Sequence, residues 1–481
     1  MSSAGGTRPR VGTRYGVVEG RLEEGGIRVF RGIPYAAPPV GALRFAAPRP
    51  PAAWDGVRDA GDFGPTAPKV PYPGRYAALL PDPEIPGDDC LNLNVWTPDP
   101  SPGAALPVMV WIHGGALTRG SSAVPVYDGS AFARDGVVLV SVNYRLGVLG
   151  YGVFPDAPAN RGLLDQITAL AWVRDNIEAF GGDPGRVTVF GESAGAISVG
   201  ALLAAPRAAG LFARAVMQSG PPEVLPHERA RPVVRRMASL LKVPATAKAF
   251  TAAALPDLLA AQAAVLRRSG PVGGPAFGLV ADPDSLPGDP AAAAAARAVP
   301  LLLGWTAEEH RLWLAPTGAM RLLDRMGPLA VELARVRSGK DRAAVRALRA
   351  ALPGAGPADL AGHLLTDRLL RDPLRRLAAA RRAAPTHLYE FRWPSGVPGL
   401  GACHALELGF VFDTLHKPES AWLAGPDAPQ ALADEMHAAW VRFAVAGDPG
   451  WAPWDGNGPP KVFGGPQREE RDARRAVGFT P

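Results

Sequence analysis

Pro107–Ile112 is apolar throughout, and Val137–Val142 and Val187–Phe190 are nearly so. Continuous apolar runs of this length predict strands covered on both faces, as in a parallel sheet. Ala213–Gln218, Val299–Leu303 and His387–Trp393 are further strand candidates of the same kind. Between such runs the pattern changes period. From Gly162 to Phe180 the side chains of Leu163, Ile167, Leu170, Val173 and Ile177 fall on one face of a helix. That helix should stop at Gly181-Gly182, with Asp183-Pro184 beyond. Strands alternating with helices predict an α/β fold, a mainly parallel central sheet flanked by helices. Asp88–Pro98 alternates apolar and polar residues, which predicts a strand covered on one face only.

The ends of the chain read differently. Tyr15–Gly20 and Ile27–Gly32 predict two small N-terminal antiparallel strands joined by a Glu23-Glu24-Gly25-Gly26 turn. Residues 1–14 are expected to be a disordered leader, and the proline-rich coil that runs to Pro51 a surface loop. Residues 221–298 and 310–385 are rich in Ala, Leu and Arg and predict helices inserted between the later strands as a cap. Residues 15–481 are thus expected to form one domain, although 481 residues is long enough for about three.

Composition narrows the class. Hydrophobic residues make up 47% and charged residues 20%, ordinary for a protein with a large core. The net charge of +6 is carried by dispersed arginines. Groups such as Arg231–Arg236 and Arg375–Arg382 sit in alanine-rich, helix-like stretches, which predicts solvated helix faces and no nucleic-acid partner. Cys90 and Cys403 are far apart and in no metal-ligand spacing. No stretch reaches the roughly eighteen apolar residues of a membrane span. The first sixteen residues lack the apolar core of a signal peptide, so a soluble cytoplasmic protein with no membrane partner is expected.

The chemistry centres on Gly191-Glu192-Ser193-Ala194-Gly195, which follows a strand-like run and precedes a helix-forming stretch. A serine on a sharp strand-to-helix turn is pushed outward, and only small residues at 191 and 195 permit the turn. The helix N-terminus then offers free N–H groups where an oxyanion would form. Ser193 is the candidate nucleophile. A second glycine pair, in His113-Gly114-Gly115-Ala116, follows the buried run Pro107–Ile112, where glycine lets backbone N–H groups approach a ligand closely. A serine hydroxyl needs a base, and seven histidines follow Ser193, so order alone does not choose among them.

These blocks resemble the type-B carboxylesterases, the carboxylesterase/cholinesterase family of α/β-hydrolases, and bacterial para-nitrobenzyl-type members in particular. The likeness is near-continuous over about residues 15–220. It includes Gly32-Ile-Pro-Tyr35, Leu93-Asn-Val-Trp-Thr-Pro98, Trp111-Ile-His-Gly-Gly115, Asn143-Tyr-Arg-Leu146, Gly162-Leu-Leu-Asp-Gln166 and Gln218-Ser-Gly220. Beyond 220 it thins to islands near Glu309, His404 and Trp440–Pro449.

The resemblance implies an α/β-hydrolase fold and a triad of Ser193, Glu309 and His404. His404 lies in Gly401-Ala-Cys-His-Ala-Leu-Glu407, where the family carries its catalytic histidine. The acid falls on the second of two glutamates. Because His310 stands where the family has glycine, Glu308 stays open. The oxyanion hole would be the N–H groups of Gly115, Ala116 and Ala194, with Ala116 in place of a third glycine. His113 would support that loop, and Leu117 would line the acyl pocket. Glu192 and Ser219 match positions beside the triad, either supporting it or serving packing alone. Secreted relatives pair Cys90 with a cysteine where this chain has Ala67, so Cys90 is expected to be a free thiol, as in a reducing compartment.

The implied activity is hydrolysis of small to medium neutral carboxylic esters through an acyl-serine intermediate, with a small-molecule substrate and no metal or organic cofactor. Amides, carbamates or thioesters would be cleaved on the same triad. A catalytically silent binding protein of the family would lack it.

Overall fold

The computed structural model describes residues 8–268 and 275–465. Thirteen strands, in chain order, are β1 Arg10–Thr13, β2 Gly16–Glu19, β3 Arg21–Leu22, β4 Arg28–Pro34, β5 Val57–Asp59, β6 Asn92–Thr97, β7 Leu106–Ile112, β8 Val138–Val142, β9 Gly182–Glu192, β10 Arg214–Gln218, β11 Leu301–Thr306, β12 Thr386–Phe391 and β13 Lys461–Phe463. Ten of them form one sheet in the order β13-β12-β11-β10-β9-β7-β8-β6-β4-β3. Every pair from β13 to β8 is parallel. The other end, β8-β6-β4-β3, is antiparallel.

Both faces of the sheet are covered, and single strands show it. Val108, Val110 and Ile112 of β7 join one core with Leu163, Leu170 and Val173 of the helix Arg161–Asn176 and Val199 and Leu202 of the helix Ala194–Ala204. Met109 and Trp111, pointing the other way, join a second core with Phe190, Phe412, and Trp440 and Phe443 of the helix Gln430–Ala446. This two-sided burial is why the central runs are apolar without alternation.

Three expectations need correction. β6 is buried along its whole length, although its sequence alternates. Its polar residues are inside because they have partners: Asn94 donates to Ser122 Oγ and Ser141 Oγ (3.0 Å each) and accepts the Gly32 N–H (3.0 Å). Alternation here records a buried hydrogen-bond network and not a solvated face.

Of the expected leader, residues 1–7 lie outside the described residues, but Arg10–Thr13 is a strand paired antiparallel with β2. Buried Val11 and the Arg10–Glu19 ion pair (2.7 Å) hold it there.

The two predicted N-terminal strands do not pair along their lengths. β2 lies in a separate three-stranded sheet, β1-β2-β5, while β4 enters the main sheet. The chain changes sheets at Gly20, where a Cβ would lie 2.3 Å from Val29 O.

Both alanine-rich regions contain helices. Those of the first, including His227–Leu241, Ala247–Ala252 and Leu255–Leu266, place Met237, Phe250 and Leu258 in the main core. In the second, the helices Pro328–Ser338 and Pro357–Thr366 build a small core of their own from Val331, Leu360 and Leu364. Among the described residues no helix is long and apolar enough to cross a membrane, and no cluster of His, Cys, Asp or Glu could hold a metal ion.

Candidate active site

The candidate residues lie past the C-terminal ends of neighbouring parallel strands, where open α/β sheets bind ligands. β7 runs into the turn 113–120, β9 into Ser193, β11 into Glu309, and β12 into the loop that carries His404.

Ser193 sits at φ 55°, ψ −121°, a conformation costly for any side-chain-bearing residue. Its surroundings impose it. A Cβ on Gly195 would lie 2.0 Å from Ile112 O, and one on Gly191 2.6 Å from the Gly195 carbonyl carbon. The Ser193 N–H donates to Gln218 O (2.8 Å), tying the turn to β10.

The turn 113–120 packs against this elbow: a Cβ on Gly114 would stand 3.3 Å from Ser193 Cβ and 2.9 Å from Glu192 Oε2. Gly115, Ala116 and Leu117 all have positive φ, 108°, 54° and 58°. The Gly115 carbonyl turns away and accepts the N–H groups of Thr118 (3.0 Å) and Arg119 (2.9 Å). The N–H groups of Gly115 and Ala116 have no acceptor among the described residues, and that of Ala194 opens a helix. His113 backs the turn: its ring stacks on Tyr144 (4.4 Å), Nδ1 lies 2.8 Å from Gly114 O, and burial pushes it down to about 3, so it stays neutral.

Of the two glutamates, Glu309 and not Glu308 meets His404. Glu309 is fully buried; Oε2 lies 2.5 Å from His404 Nδ1 and Oε1 accepts the Thr306 N–H (2.8 Å). Glu308 instead binds Arg311 (2.6 Å) and accepts the Ala402 N–H (2.9 Å), stitching the acid loop to the histidine loop. Gly401 makes room for it, since a Cβ there would fall 2.0 Å from Glu308 Oε2. Trp313 meets the other side of the His404 ring at 5.2 Å, edge to face.

His404 Nε2 faces Glu192, with Oε1 3.0 Å away, close enough for an ion pair but off the line of a hydrogen bond. Ser193 Oγ makes no hydrogen bond among the described residues. Burial opposes charge on His404, but the carboxylates of Glu192 and Glu309 outweigh it and raise the imidazole to about 9. Burial also raises Glu192, to about 8, so the two compete for one proton.

A third carboxylate, Glu407, lies behind them, raised to about 7 by burial and by Glu309. It accepts from Gln218 Nε2 (3.2 Å), whose Oε1 accepts the Trp440 indole N–H (3.1 Å). Glu407 and Gln218 stand in the blocks Gly401–Glu407 and Gln218–Gly220 that carry the family resemblance, but the sequence alone assigns neither a role. Ser219, with φ 54°, is buried beside them and its hydroxyl has no partner among the described residues.

Fold and elbow together define an α/β-hydrolase. The profile of the carboxylesterase family matches residues 7–460. The para-nitrobenzyl esterase of Bacillus subtilis is 39% identical over 467 residues, 92% of this chain and 91% of its own. The phenmedipham hydrolase of Pseudarthrobacter oxydans is 37% identical, over 92% of this chain and 91% of its own. A solved Geobacillus stearothermophilus carboxylesterase superposes with a TM-score of 0.80 at 38% identity, over 93% of each chain. The chain belongs to the carboxylesterase family, and its activity is the hydrolysis of carboxylic esters.

Proposed function

We propose that Ser193 is the nucleophile, His404 its base and Glu309 the acid that orients the imidazole. The observation that carries this reading is the buried Glu309–His404 contact of 2.5 Å, with His404 Nε2 3.0 Å from Glu192, the residue before a serine held at positive φ. Ser193 Oγ attacks the ester carbonyl as His404 Nε2 takes its proton. Glu309, bound at Nδ1, stabilises the imidazolium without itself taking the proton. The N–H groups of Gly115, Ala116 and Ala194 receive the developing oxyanion. His404 gives its proton to the leaving alcohol, then draws one from a water whose oxygen attacks the acyl carbon; the acyl–Oγ bond breaks, Ser193 Oγ takes that proton back, and the acid is released. Every step uses side chains and backbone of this chain.

The substrates are small to medium neutral esters, and the protein works in the cytoplasm. The compartment is supported by Cys90: it is buried and free, Ala67 stands where a partner would be, and burial pushes the thiol up to about 12, so it is inert.

Intact-mass measurement after fluorophosphonate treatment tests the nucleophile. One adduct on the wild type and none on Ser193→Ala, with short-chain aryl ester hydrolysis reduced about 10⁴-fold or more, is the expected result. An adduct that persists in Ser193→Ala would place the nucleophile elsewhere.

A further inference from the structure

Residues 66–85 form a loop that runs from the oxyanion turn to the histidine side of the site. Its neck is closed by Thr66, whose N–H donates to Ile85 O (3.0 Å) and whose hydroxyl accepts the Ile85 N–H (3.1 Å). Both cysteines are free, so no disulfide pins it. Further along, the Tyr76 hydroxyl donates to Trp313 O (2.7 Å), and Trp313 is the ring against His404. On the other side Arg119 lies over the Tyr72 ring at 5.2 Å.

Inside this loop is a lysine that the sequence did not single out. The Lys69 side chain is 2% exposed and Asp82, with which it pairs, 7%. The ammonium group donates to the Asp82 carboxylate, to Pro83 O (2.9 Å) and to Gly120 O (3.2 Å). Three N–H donors thus meet three acceptors, which is what a buried ammonium requires. Two of the acceptors belong to the loop itself. The third is the far end of the oxyanion turn.

That third contact bears on the reaction because the turn has no slack. A Cβ on Gly120 would lie 2.5 Å from Gly114 O and 2.6 Å from His113 Nδ1, and one on Gly115 2.3 Å from Arg119 O. A displacement of Gly120 is therefore passed directly to Gly114 and Gly115. Two successive non-glycine residues of the turn, Ala116 and Leu117, have positive φ. Such a backbone persists only where its surroundings over-determine it.

We propose that Lys69 is a positioning residue for ester hydrolysis: its ammonium clamps the oxyanion turn, through Gly120, to the 66–85 loop. The proposal rests on the reading of Gly115 and Ala116 as oxyanion donors. Lys69 touches no reacting atom; it acts through the turn.

The test compares wild type with Lys69→Met, Lys69→Gln and Asp82→Asn. It reads kcat and KM on a short aryl ester, fluorophosphonate adduct stoichiometry, and affinity for an aryl trifluoromethyl ketone, which forms a hemiketal oxyanion on the serine. Lys69→Met should lower kcat about 10- to 100-fold, as a misplacement of about 1 Å does, with KM within about twofold. Ketone affinity should fall by the same factor while one adduct still forms. Lys69→Gln, whose amide N–H can still reach a carbonyl, should recover part of both losses. Asp82→Asn keeps side-chain volume and should show the same direction more weakly, which covers a Lys69→Met that does not fold.

Wild-type kcat and ketone affinity in the folded variants, with only a lower melting temperature, would overturn the proposal and leave Lys69 a stability residue. A wild type that binds the ketone no more tightly than the matching secondary alcohol would instead remove the oxyanion reading, and this proposal with it.

Discussion

Two adjacent glutamates with opposite surroundings give the sharpest test at the residue scale. Glu309 holds His404 Nδ1, so Glu309→Gln leaves the ring in the wrong tautomer and should lower kcat by about 10⁴. Glu308→Gln keeps one acceptor oxygen and gives up only one of the bonds to Arg311 and the Ala402 N–H, and should cost about 1–2 kcal/mol of stability with a far smaller change in kcat. Steady-state kinetics and thermal melts of the two variants check the pair.

Glu192 bears on pH. As the proposed base, His404 must be neutral to act, and its pKa is raised above the usual 6.5 to about 9. Activity should therefore climb with pH through an acid limb well above that of an ordinary histidine. Glu192→Gln removes one of the carboxylates that favour imidazolium, so the limb of kcat/KM should move down by about one pH unit. A limb that stays in place would show that Glu192 does not set the charge on His404.

At the scale of elements, the strand–turn–helix of β9, Ser193 and the helix Ala194–Ala204 works because two glycines leave no room for anything larger. Gly195→Ala would place a methyl group 2.0 Å from Ile112 O, the carbonyl from which the turn 113–120 departs. Backbone cannot yield as a side-chain tip can, so this variant should fold poorly or, if recovered, take up fluorophosphonate at least about tenfold more slowly.

This element was legible because its sterics are written in adjacent residues. The same holds for Pro107–Ile112 and Val137–Val142, where burial on both faces requires unbroken apolar runs. Legibility failed where partners are remote in sequence. Asn92 and Asn94 read as solvent-facing until Pro65, Ser122 and Ser141 are brought to them. Val11 read as leader until β2 covers it. The family resemblance pointed to Glu309, but the partners of Glu308 needed the position of Ala402, about ninety residues on, and Lys69 needed Gly120.

At the scale of the whole molecule, the segment after β8 ties three layers to the site. Asn143 Oδ1 accepts the Ser122 N–H (2.8 Å) and its Nδ2 donates to Asn92 Oδ1 (3.0 Å), which fixes the antiparallel edge. The Tyr144 hydroxyl donates to His113 O (2.7 Å) at the start of the turn 113–120. Arg145, 1% exposed, reaches the fully buried Asp165 of the helix Arg161–Asn176 with Nε (2.8 Å), a terminal nitrogen (2.7 Å) and its backbone N–H (3.0 Å), and also donates to Ala46 O (2.7 Å).

The neighbouring Arg161 offers no relief. It is buried without a carboxylate of its own, satisfied by the carbonyls of Val148, Leu149, Gly152 and Pro158, and burial with the nearby Arg145 charge lowers it to about 9. Asp165 is therefore the counter-charge for two buried guanidinium groups. Asp165→Asn strands both and should cost about 3–5 kcal/mol, the usual penalty for breaking a buried pair from one side. Adding Arg145→Met to that variant removes one of the two stranded charges and its repulsion of Arg161, so the double variant should be no less stable than Asp165→Asn alone. Chemical unfolding of the wild type, Asp165→Asn, Arg145→Met and the double variant decides it, because strictly additive losses would mean that the pair does not act as a unit.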